Sequence, residues 1–199
     1  MTWKTHMAGG MAAGTGAVAL IQNIGGIDMT AIQNIVPIVI ISGISALLAD
    51  VDEKESKAGQ VLLPVSMVFW LLQSIIKILS LFTFGNLRKR IRSNTQFVMH
   101  RGICHYPITL AVLFVIGLMA IVILSGDGKW YLILMAFTVG YFSHILLDLI
   151  SGKIALFFPI SKKRIGIRLF KYNGIGEKIL VLPALIIATV IMMAKIVRF

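Results

Sequence analysis

Long apolar runs, separated by short polar segments, set the elements of this chain. Residues 8–24, 32–49, 103–125, 130–150 and 178–197 are such runs, each near the ~20 residues that carry a helix across a bilayer. The first is rich in Gly and Ala. Its Gly10 and Gly14, Ala12 and Gly16, and Ala13 and Ala17 stand at the small-xxx-small spacing that lets membrane helices approach closely. Residues 61–82 are also long enough to cross, but Ser66, Gln73, Lys77 and Ser80 follow one another at gaps of seven, four and three. That is a polar stripe on one helix face, and it favours an interfacial or re-entrant helix. Pro107 falls in the first turn of its run, where proline is tolerated. Gly126-Asp127-Gly128 makes a tight turn before Trp130-Tyr131, an aromatic interface anchor. The expected fold is all-α: a polytopic membrane helical bundle of about five transmembrane helices plus the 61–82 helix. It forms a single integral-membrane domain over residues 1–199.

Composition agrees. Hydrophobic residues make up 58% and charged residues 14%, and the mean hydropathy is +0.92; a soluble domain is about a quarter charged. The net charge of +11 invites a nucleic-acid reading. The basic residues lie between apolar runs, however, where they orient the chain and can grip anionic headgroups. Membrane lipids are therefore expected partners and nucleic acid is not. The lone Cys104 excludes an internal disulfide and a CxxC-type zinc site.

The polar residues that break the apolar pattern carry the chemistry. All four histidines, His6, His100, His105 and His144, lie at or inside apolar segments, as do Asp50, Asp52 and Asp148. His144 and Asp148 are four apart and share a helix face; ionisable groups deep in an apolar helix are functional by default. Asp50 and Asp52 diverge on a helix but share a side when the chain is extended, and acids at a helix C-terminus oppose the helix dipole. Gly102, between His100 and His105, permits a chain break that brings the two imidazoles together. Arg101 beside them is always charged and suits an oxyanion or a phosphate. These seven residues offer the nitrogen and oxygen donors that zinc, manganese or iron accepts. Two ions, or one ion with carboxylates behind its ligands, both fit that set. A shared site requires that residues 61–82 stay on one membrane face. In that arrangement 16 of the 19 basic residues share the site's side, which the positive-inside rule makes cytoplasmic.

At this point the pattern resembles a known family, the YdjM-type inner-membrane proteins, described as candidate membrane-bound metal-dependent hydrolases. The matching stretches are His6 with Gly9 and Gly10, and Leu48-Ala49-Asp50-Val51-Asp52-Glu53. They continue with His100-Arg101-Gly102-Ile103-Cys104-His105-Tyr106 and with Gly140-Tyr141-Phe142-Ser143-His144-Ile145-Leu146-Leu147-Asp148. Phe158-Pro159-Ile160 falls where a late patch is expected. Ala49 stands for the family's proline, Glu53 for a histidine, and Cys104 and Tyr106 for Thr and Ser. A fainter similarity reaches zinc-dependent phospholipases C. The resemblance implies a bacterial inner-membrane, multi-pass enzyme with zinc first among its candidate metals. The expected activity is hydrolysis by metal-activated water, with a phosphoester of a lipid or lipid-linked molecule as the expected substrate. Asp52 is expected as general base or bridging ligand, and Arg101 as the group that stabilises developing negative charge. The alternative is a non-enzymatic metal-binding transporter or a structural membrane protein. The paired repeats typical of transporters are not visible in the sequence.

Overall fold

The computed structural model describes residues 1–24, 32–53, 55–83, 103–124, 126–158, 160–161, 163–171 and 173–197. Helices form over every run that the hydropathy pattern marks: α1 Trp3–Ile24, α2 Ile32–Leu48, α3 Lys57–Val61, α4 Leu63–Leu81, α5 Pro107–Leu124, α6 Gly128–Ser151 and α7 Leu182–Ile196. A 3-10 turn at Ile103–His105 leads into α5, and a π-helical turn at Glu177–Val181 leads into α7. A helix satisfies all of its own backbone groups, which is what a chain in lipid must do.

Pro107–Leu124, Gly128–Ser151 and Glu177–Ile196 are long and apolar enough to cross a membrane by length and composition. α2 is shorter, at 17 residues, and α1 replaces large apolar side chains with Gly, Ala and Thr. Position explains both. α1 and α2 form the middle of the bundle, packed on each other and on α6, with α7 against α1 and α5 against α6. α5 and α7 leave most of their apolar surface outside the bundle, as lipid-facing helices do.

Small residues set the spacing at the centre. A Cβ added at Gly10 of α1 would lie 2.3 Å from the Ser42 carbonyl oxygen of α2, and one added at Gly140 of α6 would lie 2.1 Å from the same oxygen. The Ser42 carbonyl is thus approached closely by a glycine of α1 and a glycine of α6. Of the expected small-residue pairs, Gly10 and Gly14 face α2, whereas Gly16 faces Met192 of α7 at 3.9 Å. The hydroxyls of Ser42 and Ser45 donate within α2, to Ile38 O at 2.8 Å and Ser42 O at 3.0 Å, so they add no unmet polar group to the interface. One apolar cluster forms around Val18, Ile35, Ile38 and Ala136. A second, around Ala49, Leu110, Tyr141, Ile145 and Ile154, lies beside the polar end described below.

Asp50, just past α2, and His105, just before α5, approach to 3.2 Å. The chain between them therefore ends on the face where it began. Residues 84–102, which hold Arg88, Lys89, Arg90 and Arg92, lie outside the described residues. The expected placement of 61–82 on the site's face, drawn from its polar stripe, is compatible with the Asp50–His105 contact. Ser66 of that stripe is buried and donates to Gly59 O at 2.8 Å, tethering α4 to α3.

Candidate metal centre

Four elements meet at this end of the bundle. α1 contributes His6, the turn after α2 contributes Asp50, the 3-10 turn contributes His105, and α6 contributes His144 and Asp148. Local chemistry fixes each one. Asp50 sits where α2 tightens into successive turns, and its carbonyl accepts from Ser56 Oγ at 2.6 Å. Ser56 in turn caps α3 by accepting from Gly59 N at 2.8 Å, so the loop carrying Asp50 is braced from behind. His105 follows Cys104, whose carbonyl accepts a hydrogen bond from the buried Tyr141 hydroxyl. Thr109 Oγ1 closes the same turn on Ile103 O at 2.5 Å.

His144 is the hub. Its Nδ1 lies 2.6 Å from Ala46 O. A carbonyl only accepts, so the proton is on Nδ1 and the Nε2 lone pair faces the centre, the orientation seen in metal-ligating histidines. That Nε2 is 3.2 Å from His105 Nε2, 3.6 Å from Asp50 Oδ1 and 3.9 Å from Asp148 Oδ2. His105 Nε2 lies 3.2 Å from Asp50 Oδ1 and 3.5 Å from Asp148 Oδ2. His6 stacks on His144 with ring centroids 3.8 Å apart and places Nε2 3.5 Å from Asp148 Oδ1. Its Nδ1 is buried without a hydrogen-bond partner among the described residues.

Two groups of three ligands emerge, His6–His144–Asp148 and Asp50–His105–His144, each with its ligand atoms within 4.8 Å of one another. They share His144. Imidazole nitrogens and carboxylate oxygens gathered this closely, in a buried place, form a donor set suited to a divalent cation. Five of the seven expected ligands are therefore brought together. Asp52 is buried next to them, and neither carboxylate oxygen accepts a hydrogen bond from another described residue. It belongs to neither group of three. Burial pushes its carboxyl up to about 7, against the pull of His105 and with the help of Asp50 and Glu53. For Asp50, burial also acts upward, but the His105 hydrogen bond and the surrounding imidazoles outweigh it and hold the carboxyl below the usual carboxylate range. His100 and Arg101, expected as ligand and anion-stabilising group, lie outside the described residues.

A cavity of about 380 Å³ opens onto His6, Asp50 and Asp148, and Trp3, Glu53, Glu55 and Lys57 help to line it. Glu53, which stands where the family pattern has histidine, is thus a cavity residue. The sequence reading did not single out Trp3, Glu55 or Lys57. Nor did it find Glu177, fully buried at the foot of α7, whose carboxylate accepts from Thr5 Oγ1 at 2.7 Å, Asn173 N at 2.8 Å and the Thr2 amide. Glu177 anchors the start of α1, and so His6. Its one sequence signal is an acid directly ahead of an apolar run.

Neither a curated protein nor a solved structure matches the chain. The family model described as YdjM inner membrane protein matches residues 1–198, and the chain belongs to that family.

Proposed function

We propose that this protein is a metal-dependent hydrolase of the inner membrane, acting on a phosphoester of a lipid or lipid-linked substrate. The observation that carries this reading is the pair of buried ligand groups hinged on His144, open to a cavity on the Asp50 and Asp148 side. A closed structural network has no use for such access, whereas a catalytic centre keeps a position open. His6, Asp50, His105, His144 and Asp148 would hold one or two divalent ions, zinc first, with manganese and iron as alternatives. When bound, such an ion supplies Lewis acidity toward water and the scissile group.

The chain's own residues do the rest. Ala46 fixes the His144 tautomer, and Ser56 and Tyr141 brace the turns that carry Asp50 and His105. Asp52, buried beside the cluster with both oxygens unengaged by other described residues, is the candidate to take a proton from the attacking water. Arg101, adjacent in sequence to the His105 turn, is the candidate for countering developing negative charge. The distribution of basic residues supports a cytoplasmic site. The test has two stages. Elemental analysis of the purified protein should find a divalent metal that His144→Ala loses while the protein remains folded. Lipid phosphoesters should then be hydrolysed in a chelator-sensitive way. Unchanged metal content in the variant would remove the site assignment; metal without hydrolysis of any phosphoester would remove the reaction.

A further inference from the structure

The segment between α6 and α7 is a second, chemically distinct surface. Residues 153–176 contain Lys153, Lys162, Lys163, Arg164, Arg168 and Lys171 and no acid. Its described residues are held by backbone hydrogen bonds, within the segment and to α6. Ile154 and Ile165 exchange hydrogen bonds of 3.0 and 2.8 Å, and the amides of Ile167 and Leu169 donate to Leu149 O at 2.9 Å and Ile150 O at 2.8 Å in the last turns of α6. Its inner edge caps the bundle: Ile154 and Ala155 are buried, and Phe158 stacks on Tyr106 at 4.3 Å. Ala155 and Phe158 thus face inward, whereas Phe157 is exposed.

The outer edge is different. Ile160, Ile167 and Leu169 are 95%, 63% and 64% exposed, interleaved with exposed Lys163, Arg164, Arg168 and Lys171. None of these four cations forms a salt bridge with a described residue. Arg168 is held at φ 57, a left-handed conformation that a non-glycine residue adopts only where its surroundings impose it. We propose that this edge is a docking surface for the anionic headgroups of membrane phospholipids, with its aliphatic side chains entering the acyl boundary. The geometry selects a lipid surface. The edge hangs from the last turns of α6, a helix long and apolar enough to span, so it sits at the level where that helix leaves the bilayer. Cations alternating with exposed aliphatic side chains match a charged interface over an apolar interior. A nucleic acid would leave the aliphatic side chains unmatched. This inference does not depend on the hydrolase reading.

The test uses the full-length protein in nanodiscs of phosphatidylcholine, with and without phosphatidylglycerol. Amide hydrogen exchange over 163–171 should slow in the anionic discs, and the protection should fall as salt is raised. Retention of phosphatidylglycerol in native mass spectrometry should weaken about fivefold for each cation neutralised among K163Q, R164Q, R168Q and K171Q. Exchange in α1 should not change. Equal exchange in both disc types would overturn the proposal, as would protection that survives neutralisation of all four. If the fourfold variant does not assemble, the wild-type protein decides: protection insensitive to salt would also overturn it.

Discussion

Gly140→Ala gives the sharpest connection between packing and the candidate metal centre. The new Cβ would lie 2.1 Å from Ser42 O and 2.1 Å from Ser45 Oγ, where ordinary contact begins at 3.4 Å. A hydroxyl can rotate away, but a helix carbonyl cannot, so α2 and α6 must part by about 1.3 Å, the shortfall from ordinary contact. His144 lies one turn further along α6, and its Nδ1 bonds to Ala46 O, one turn further along α2, at 2.6 Å. A separation transmitted in full would stretch that contact beyond the range in which it counts as a hydrogen bond. Overpacking of this kind costs about 1–3 kcal/mol, which lowers the apparent melting temperature by roughly 3–10 °C for a chain of this size. Losing the partner that orients a ligating histidine weakens metal affinity about 10–100-fold. Both effects can be read on detergent-purified protein, by thermal unfolding and by competition with a chromophoric chelator. Gly128→Ala is the matched control, since a Cβ there has nothing within 4 Å. If Gly140→Ala keeps the wild-type melting temperature and metal affinity, the helices yield without cost and the proposed link between small-residue packing and the site is wrong.

Stripping metal should destabilise the fold, because the ligands come from four separate elements. An ion present at about 100 times its dissociation constant contributes about 2.7 kcal/mol, so chelator should lower the melting temperature by roughly 5–10 °C and excess zinc should restore it; a curve indifferent to both would count against a resident ion. Tyr141→Phe leaves the buried Cys104 carbonyl without its donor, costing about 1–3 kcal/mol. It should also weaken metal binding through His105, whereas a stability loss with unchanged affinity would confine Tyr141 to packing. Glu177→Ala removes the acceptor shared by Thr2, Thr5 and Asn173 and should cost about 2–4 kcal/mol. Thr5→Val should cost less, and equal losses would mean that the carboxylate contributes nothing beyond that one hydroxyl.

Local rules made part of the site legible. His144 and Asp148 share a face because α-helix geometry puts residues four apart side by side, and no other part of the molecule is needed to see it. The Asp50–His105 contact is of another kind. It depends on 54 intervening residues returning to one face, and only the polar stripe on 61–82 hinted at that. Between Asp50 and Asp52 the sequence offered no choice, because the direction of each carboxylate follows from the successive tight turns after α2. Asp50 joins a ligand group and Asp52 sits buried beside it. Glu177 escaped notice because its meaning lies in donors more than 170 residues away, Thr2 and Thr5.

By itself, the sequence determined that this chain is a bundle of membrane helices. Apolar runs of that length must satisfy their own backbone hydrogen bonds in lipid, and a helix does so without reference to anything else. It also determined which residue types could hold a metal, since ionisable side chains are too costly in such runs to be incidental. Only the tertiary structure decided which imidazole is the hub, which carboxylate reaches it and where the cavity opens. Those depend on how closely α1, α2 and α6 approach and on their rotation about their axes. The fit of Gly10 and Gly140 around the Ser42 carbonyl sets that approach, and a contact between distant segments cannot be read from the local periodicity of either one.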